Sequence, residues 1–78
     1  MVQVVNRTLD LRGLYCPEPL FKTKIAIDSM TVGSLLEVIA DDPTAEDDMS
    51  SWARRTGQEL ISITRIGREL HFLIRKAK

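Results

Sequence analysis

A chain of 78 residues with one cysteine and one histidine can form no internal disulfide and has too few soft ligands for a structural zinc site, so its stability must come from burying the apolar 44% of its residues. At this length a single domain over residues 1–78 is expected. Eleven basic residues balance eleven acidic ones, which counts against a general affinity for nucleic acid, and no apolar run approaches the ~20 residues that span a bilayer.

The opening MVQVVNRTLD lacks the charged-then-apolar layout of a secretory signal, so a cytoplasmic location is expected, in keeping with a free thiol. Thr8-Leu9-Asp10-Leu11-Arg12 alternates polar with apolar residues, the period of a half-buried strand, and Gly13 ends it. The pattern then predicts a helix from Pro17 to about Met30, with Leu20, Thr23, Ala26, Ile27 and Met30 on one face. Thr31-Val32-Gly33 breaks the period. Ser34 to Ala40 is more continuously apolar and reads as a strand inside a sheet.

Asp41-Asp42-Pro43-Thr44 is a turn and cap, in which Thr44 and Asp47 stand at capping-box spacing. A second helix is predicted over Ala45–Thr56. Its acidic first turn (Glu46, Asp47, Asp48) and basic last turn (Arg54, Arg55) suit the helix dipole, and Gly57 stops it. Its inner face is Ala45, Met49, Trp52, Ala53 and Thr56. Strands Leu60–Ile66 and Leu70–Arg75 follow, joined through Gly67-Arg68-Glu69, and Leu70, Phe72 and Ile74 alternate with His71, Leu73 and Arg75.

The order is β-α-β-α-β-β. Right-handed crossovers place both helices on one face of a mixed four-stranded sheet, an α+β fold in the form of a two-layer α/β sandwich. Residues 1–48 hold four bases against nine acids, net −5, and residues 49–78 hold seven against two, net +5. If the halves stay apart in space, the molecule has an acidic and a basic side, which favours oriented docking to a partner.

The stretch GLYCPEPLFKTK carries the chemistry. A residue before proline is pushed out of the helical region, as an N-cap residue must be, so Cys16 is expected at the N-cap and Pro17 at the first helical position. Pro19 is still in the first turn, where no helix bond is lost. The Glu18 amide is then free to point at the sulfur, and a helix N-terminus lowers a thiol pKa. The plain alternative is a small buried hydrophobe.

His71 lies at an outward strand position and supplies no base for Cys16. There is no second cysteine for a resolving step and no glycine-rich phosphate loop. A lone exposed thiol is left with group carriage: it accepts a group, holds it and passes it on.

LDLRGLYCPEPLFKTK resembles the N-terminal signature of the TusA family of small sulfur carriers, also called SirA-like. The resemblance rests on Cys16-Pro17-Glu18-Pro19, on Asp10 and Gly13 before them, on Ile39-Ala40-Asp41-Asp42-Pro43, and on the closing Phe72 to Lys76. It implies the fold of the C-terminal domain of translation initiation factor 3. It also implies that Cys16 carries sulfane sulfur as a persulfide, received from a cysteine desulfurase or rhodanese-like donor and relayed to an acceptor protein. Destinations in the family include tRNA thiolation, molybdenum cofactor assembly and sulfur oxidation. Carriage of this kind is sulfurtransferase-like rather than multiple-turnover catalysis. No resident cofactor or metal, no stable nucleic-acid binding, no membrane insertion and a monomeric state are expected. A nucleic-acid-binding module and a redox adaptor using the same thiol are the competing readings.

Phe21-Lys22-Thr23-Lys24 is this chain's own version of a variable segment. Phe21 and Ile25, one turn apart and off the inner face, form a second apolar stripe near Cys16, with Lys22 beside them. They are expected to face a partner, unless a sheet edge or the loop after Met30 covers them.

Overall fold

The computed structural model describes residues 5–78; residues 1–4, the start of the segment read above for a secretory signal, lie outside the described residues. The elements are β1 (Arg7–Asp10), α1 (Glu18–Asp28), β2 (Leu35–Ala40), α2 (Ala45–Thr56), β3 (Glu59–Ile66) and β4 (Glu69–Arg75). They form one mixed sheet in the order β1-β2-β4-β3. Strands β1 and β2 run parallel, and the other two pairings are antiparallel.

Strand period and register gather the fully buried apolar residues on one face. Leu9, Val38, Phe72 and Ile63 make a row across all four strands, each opposite the next. Leu36 faces Ile74 and Ala40 faces Leu70 on the same side. Both helices close over this face with Ala26 and Ile27 from α1 and Ala45, Met49, Trp52 and Ala53 from α2. Each large aliphatic or aromatic side chain buried there contributes about 1.5–3 kcal/mol. On the opposite face Glu37, Ile39, His71 and Leu73 are only half-buried. The expected two-layer architecture is the one observed.

Several boundaries differ for local reasons. In β3, a bulge between Leu60 and Ser62 inserts Ile61, so Leu60 and Ile63 both face inward at a spacing of three, which strict alternation forbids. Helix α1 ends at Asp28, and Met30 bonds to the Ile27 carbonyl outside the helix while still packing on the core. The Thr44–Asp47 capping box does not form: the Thr44 hydroxyl donates to the Asp42 carboxylate instead, at 3.0 Å. Thr56 is exposed rather than on the inner face, and its hydroxyl bonds back to the Trp52 carbonyl. Buried Thr23 satisfies its hydroxyl in the same way, on the Pro19 carbonyl at 2.8 Å. Gly57 stops α2 in the left-handed conformation (φ 78°), as its position predicts.

The two charge halves lie side by side in the sheet, β1 and β2 against β4 and β3. Among the described residues two ion pairs cross between them, Arg12–Glu69 at 3.0 Å and Arg65–Glu46 at 3.4 Å.

Candidate functional site

Because β1 and β2 are parallel, the loops that follow them leave the sheet at the same end. The first loop carries Cys16 and the second carries Asp41 and Asp42. Leu11 continues the pairing for one residue, its N–H on the Ile39 carbonyl at 2.7 Å, and its side chain is buried. Gly13 then turns the chain with φ 85°, a conformation that suits glycine.

The second loop fastens the first at two points. The Gly13 N–H donates to Asp41 Oδ1 at 2.9 Å, and the Cys16 N–H donates to Asp42 Oδ2 at 2.6 Å. Asp42 is only 4% exposed, and its other oxygen accepts the Thr44 N–H and hydroxyl. These bonds hold its pKa below the ordinary carboxylate value despite burial, so it is an anion at neutral pH.

Arg12 ties the same loop to the far strand. Its guanidinium grips Asp10 through two bonds, at 2.8 and 2.7 Å, and reaches Glu69 at 3.0 Å; Glu69 in turn meets His71 at 3.1 Å. The grip holds Asp10 down at about 2. Asp10 therefore serves the loop through Arg12.

The proline motif sits differently from the sequence expectation. Pro17, not Cys16, is the N-cap residue of α1, and the Cys16–Pro17 peptide bond is cis. The Glu18 amide donates to the Tyr15 carbonyl at 2.9 Å rather than pointing at the sulfur. Pro19 is buried in the first turn, Glu18 is exposed, and Cys16 itself is exposed, which excludes the buried-hydrophobe alternative.

The expected fall in the thiol pKa is reversed. The nearby Asp48 carboxylate, as an acceptor for the thiol proton, is the largest influence and favours the protonated form; desolvation and the charges of Asp48 and Asp42 push the same way, and the Thr44 hydroxyl offsets part of this. Residues of the second loop and of the acidic first turn of α2 thus set the electrostatics, while the start of α1 is one residue too far along and its free amide is taken. Cys16 rests as a thiol, and the thiolate, once formed, is the stronger nucleophile for its raised pKa.

Asp48→Asn should therefore raise the alkylation rate of folded Cys16 at pH 7 severalfold, with no change in the urea-unfolded chain. An unchanged or slower rate in the folded variant would remove Asp48 from the thiol's environment.

Phe21 is 54% and Ile25 69% exposed, so neither the sheet edge nor the loop after Met30 covers them. Lys22 is exposed beside them, and the Lys24 ammonium lies 5.8 Å from the Phe21 ring centre. Among the described residues no group of three or more His, Cys, Asp or Glu could hold a metal ion, and no helix is long and apolar enough to cross a membrane.

Sequence reasoning missed Asp41, Asp42, Thr44 and Asp48 as site residues. The available signal was the Asp-Asp-Pro turn directly after a strand parallel to the one preceding Cys16.

Comparison with known proteins gives the family and the fold. A family model described as sulfurtransferase TusA matches residues 7–76. The sulfur carrier protein TusA of Allochromatium vinosum is 39% identical over 72 residues, covering 92% of this chain and 95% of that protein. A crystal structure of a SirA-like protein from Desulfitobacterium hafniense superposes with a TM-score of 0.79, covering 92% of this chain and 99% of that one at 19% identity, which shows the fold. The match runs from the first strand to the residue after the last and takes in the cysteine loop with the aspartate turn that fastens it: the chain belongs to the TusA sulfurtransferase family.

Proposed function

We propose that Cys16 accepts sulfane sulfur as a persulfide from a cysteine desulfurase or rhodanese-like donor and relays it to an acceptor protein in tRNA thiolation, molybdenum cofactor assembly or sulfur oxidation. The observation that carries the reading is an exposed lone thiol on a loop fastened through its own amide, in a chain of this family. In the first step the Cys16 sulfur attacks the outer sulfur of the donor's persulfide. The donor's S–S bond breaks, its cysteine leaves as thiolate and takes the proton Cys16 gives up, and Cys16 carries the persulfide. In the second step an acceptor nucleophile takes the outer sulfur, and Cys16 leaves and recovers a proton. The sulfur is carried covalently with no resident cofactor, by a cytoplasmic, monomeric single domain over residues 1–78.

The test is an intact-mass measurement after incubation with a cysteine desulfurase and free cysteine. One added sulfur atom, removed by a thiol reductant, is the expected result; an unchanged mass, or a glutathione adduct alone from cells, removes the carrier reading.

Sulfur transfer brings two sulfurs within bonding reach, so a partner has to cover the surface around Cys16. Phe21 and Ile25, with Lys22, offer the apolar anchor and basic neighbour for it, and a shallow hollow of about 220 Å³ lined by Arg7, Leu9, Lys22, Ile25 and Ala26 adjoins them. Phe21→Ala combined with Ile25→Ser should change the melting temperature little and slow transfer with a physiological partner about tenfold or more. A large loss of stability would place the pair in the core instead.

A further inference from the structure

We infer that Asp42 is a positioning residue for sulfur transfer: its buried carboxylate holds the backbone of Cys16 and so fixes where the sulfur stands when a partner arrives. This rests on the carrier reading above. Three observations support it. The bond from the Cys16 N–H to Asp42 Oδ2 is 2.6 Å long, a short charge-assisted bond made by the nucleophile's own amide. The carboxylate is 4% exposed and anchored from the other side by the Thr44 N–H and hydroxyl at 3.0 Å each, so it cannot swing away. It also stands two residues past the end of β2, whose Ala40 is fully buried, so the tether is rooted close to rigid sheet.

The flanking prolines stiffen the chain after Cys16 but accept nothing from its amide. Without the Asp42 acceptor, the loop between Gly13 and Pro17 keeps its Gly13–Asp41 bond and loses the one nearest the sulfur. An electrostatic purpose does not explain the residue: an anion next to Cys16 opposes the thiolate that the reaction uses. The tether is retained despite that charge.

Placement and ionisation can be separated by measuring two rates on each variant. Alkylation by iodoacetamide needs a thiolate only; sulfur acceptance from a desulfurase needs the thiolate in the right place. Asp48, the other charged group that acts on the thiol, stays in every variant. Asp42→Ala should alkylate at pH 7 as fast as the natural chain or faster, yet accept sulfur about tenfold or more slowly, since displacement of a reacting group by an ångström is costly. Asp42→Asn keeps one acceptor oxygen for the Cys16 N–H but sets its NH2 against the Thr44 N–H, so acceptance should fall by less than in Asp42→Ala without returning fully to the natural rate. Ile74→Val, which loosens the core away from the loop, should leave both rates unchanged.

Amide hydrogen exchange gives a readout independent of sulfur chemistry. The Cys16 N–H should be protected in the natural chain and in Asp42→Asn and lose protection in Asp42→Ala. Acceptance at the natural rate by Asp42→Ala, equal loss in Asn and Ala, a parallel fall of alkylation and acceptance, or an unprotected Cys16 amide in the natural chain would each overturn the proposal. A natural chain that gains no sulfur overturns the carrier reading instead, and the exchange measurement alone then decides the tether.

Discussion

A Cys16→Ser chain should take up no sulfur from a cysteine desulfurase and should fold as before. The sulfur acceptor must form a sulfur–sulfur bond, and Cys16 is the only cysteine in the sequence. A serine hydroxyl cannot form a persulfide. The substitution removes nothing from the core, because Cys16 is exposed. The bond to Asp42 comes from the backbone amide and survives the change. Stability should stay within about 0.5 kcal/mol, the usual range for surface changes. Urea unfolding and intact mass measured on the same preparation separate the two effects. Sulfur retained on the serine variant would place the chemistry at another residue.

Phe72→Ala should bring the chain close to unfolding. Phe72 is fully buried, at 0% exposure, on β4 between Val38 and Ile63 in the row that crosses the sheet. Removing a core phenylalanine costs about 3–5 kcal/mol, from lost transfer energy and the cavity left behind. Domains in general hold only about 5–15 kcal/mol, and one of this size lies toward the low end. The midpoint of urea unfolding should fall sharply, and Phe72→Leu, which refills most of the volume, should recover most of the loss. A cost below about 1 kcal/mol for the alanine variant would mean that the row is not the centre of the core.

What could be read from the chain was set by the range of the interaction involved. Strand and helix periods are local, so the six elements, their order and the inward residues Phe72 and Ile74 follow from spacing alone, whereas the nearly continuous apolar run of β2 left its two faces unassigned. The bulge at Ile61 was not legible, because Leu60, Ile61 and Ile63 offer two possible phases and only pairing with β4 selects one. The exposed cysteine and its proline setting were legible too. Its electrostatics were not. Local sequence places the start of α1 beside the sulfur, but the groups that act on it, Asp42 and Asp48, are 26 and 32 positions along the chain and arrive through the parallel pairing of β1 with β2. Asp10 stood out as a motif residue, but its grip on Arg12 and the link to Glu69 needed the sheet to be seen.

The strand order β1-β2-β4-β3 sets when the molecule can exist at all. Among the described residues strand β3 pairs only with β4, and β2 has β4 as its neighbour on the inner side. A nascent chain that has emerged as far as Ile66 has its thiol, its aspartate turn and both helices in water, yet β3 has no neighbour and the row through Val38 lacks Phe72. Assembly waits for Glu69–Arg75, and the pairing of β2 with β4 closes a loop of about thirty residues, an entropic cost that local helix formation does not share. During synthesis the reactive cysteine is therefore presented on an incomplete sheet, and the fixed placement of its sulfur arrives only with the last strand.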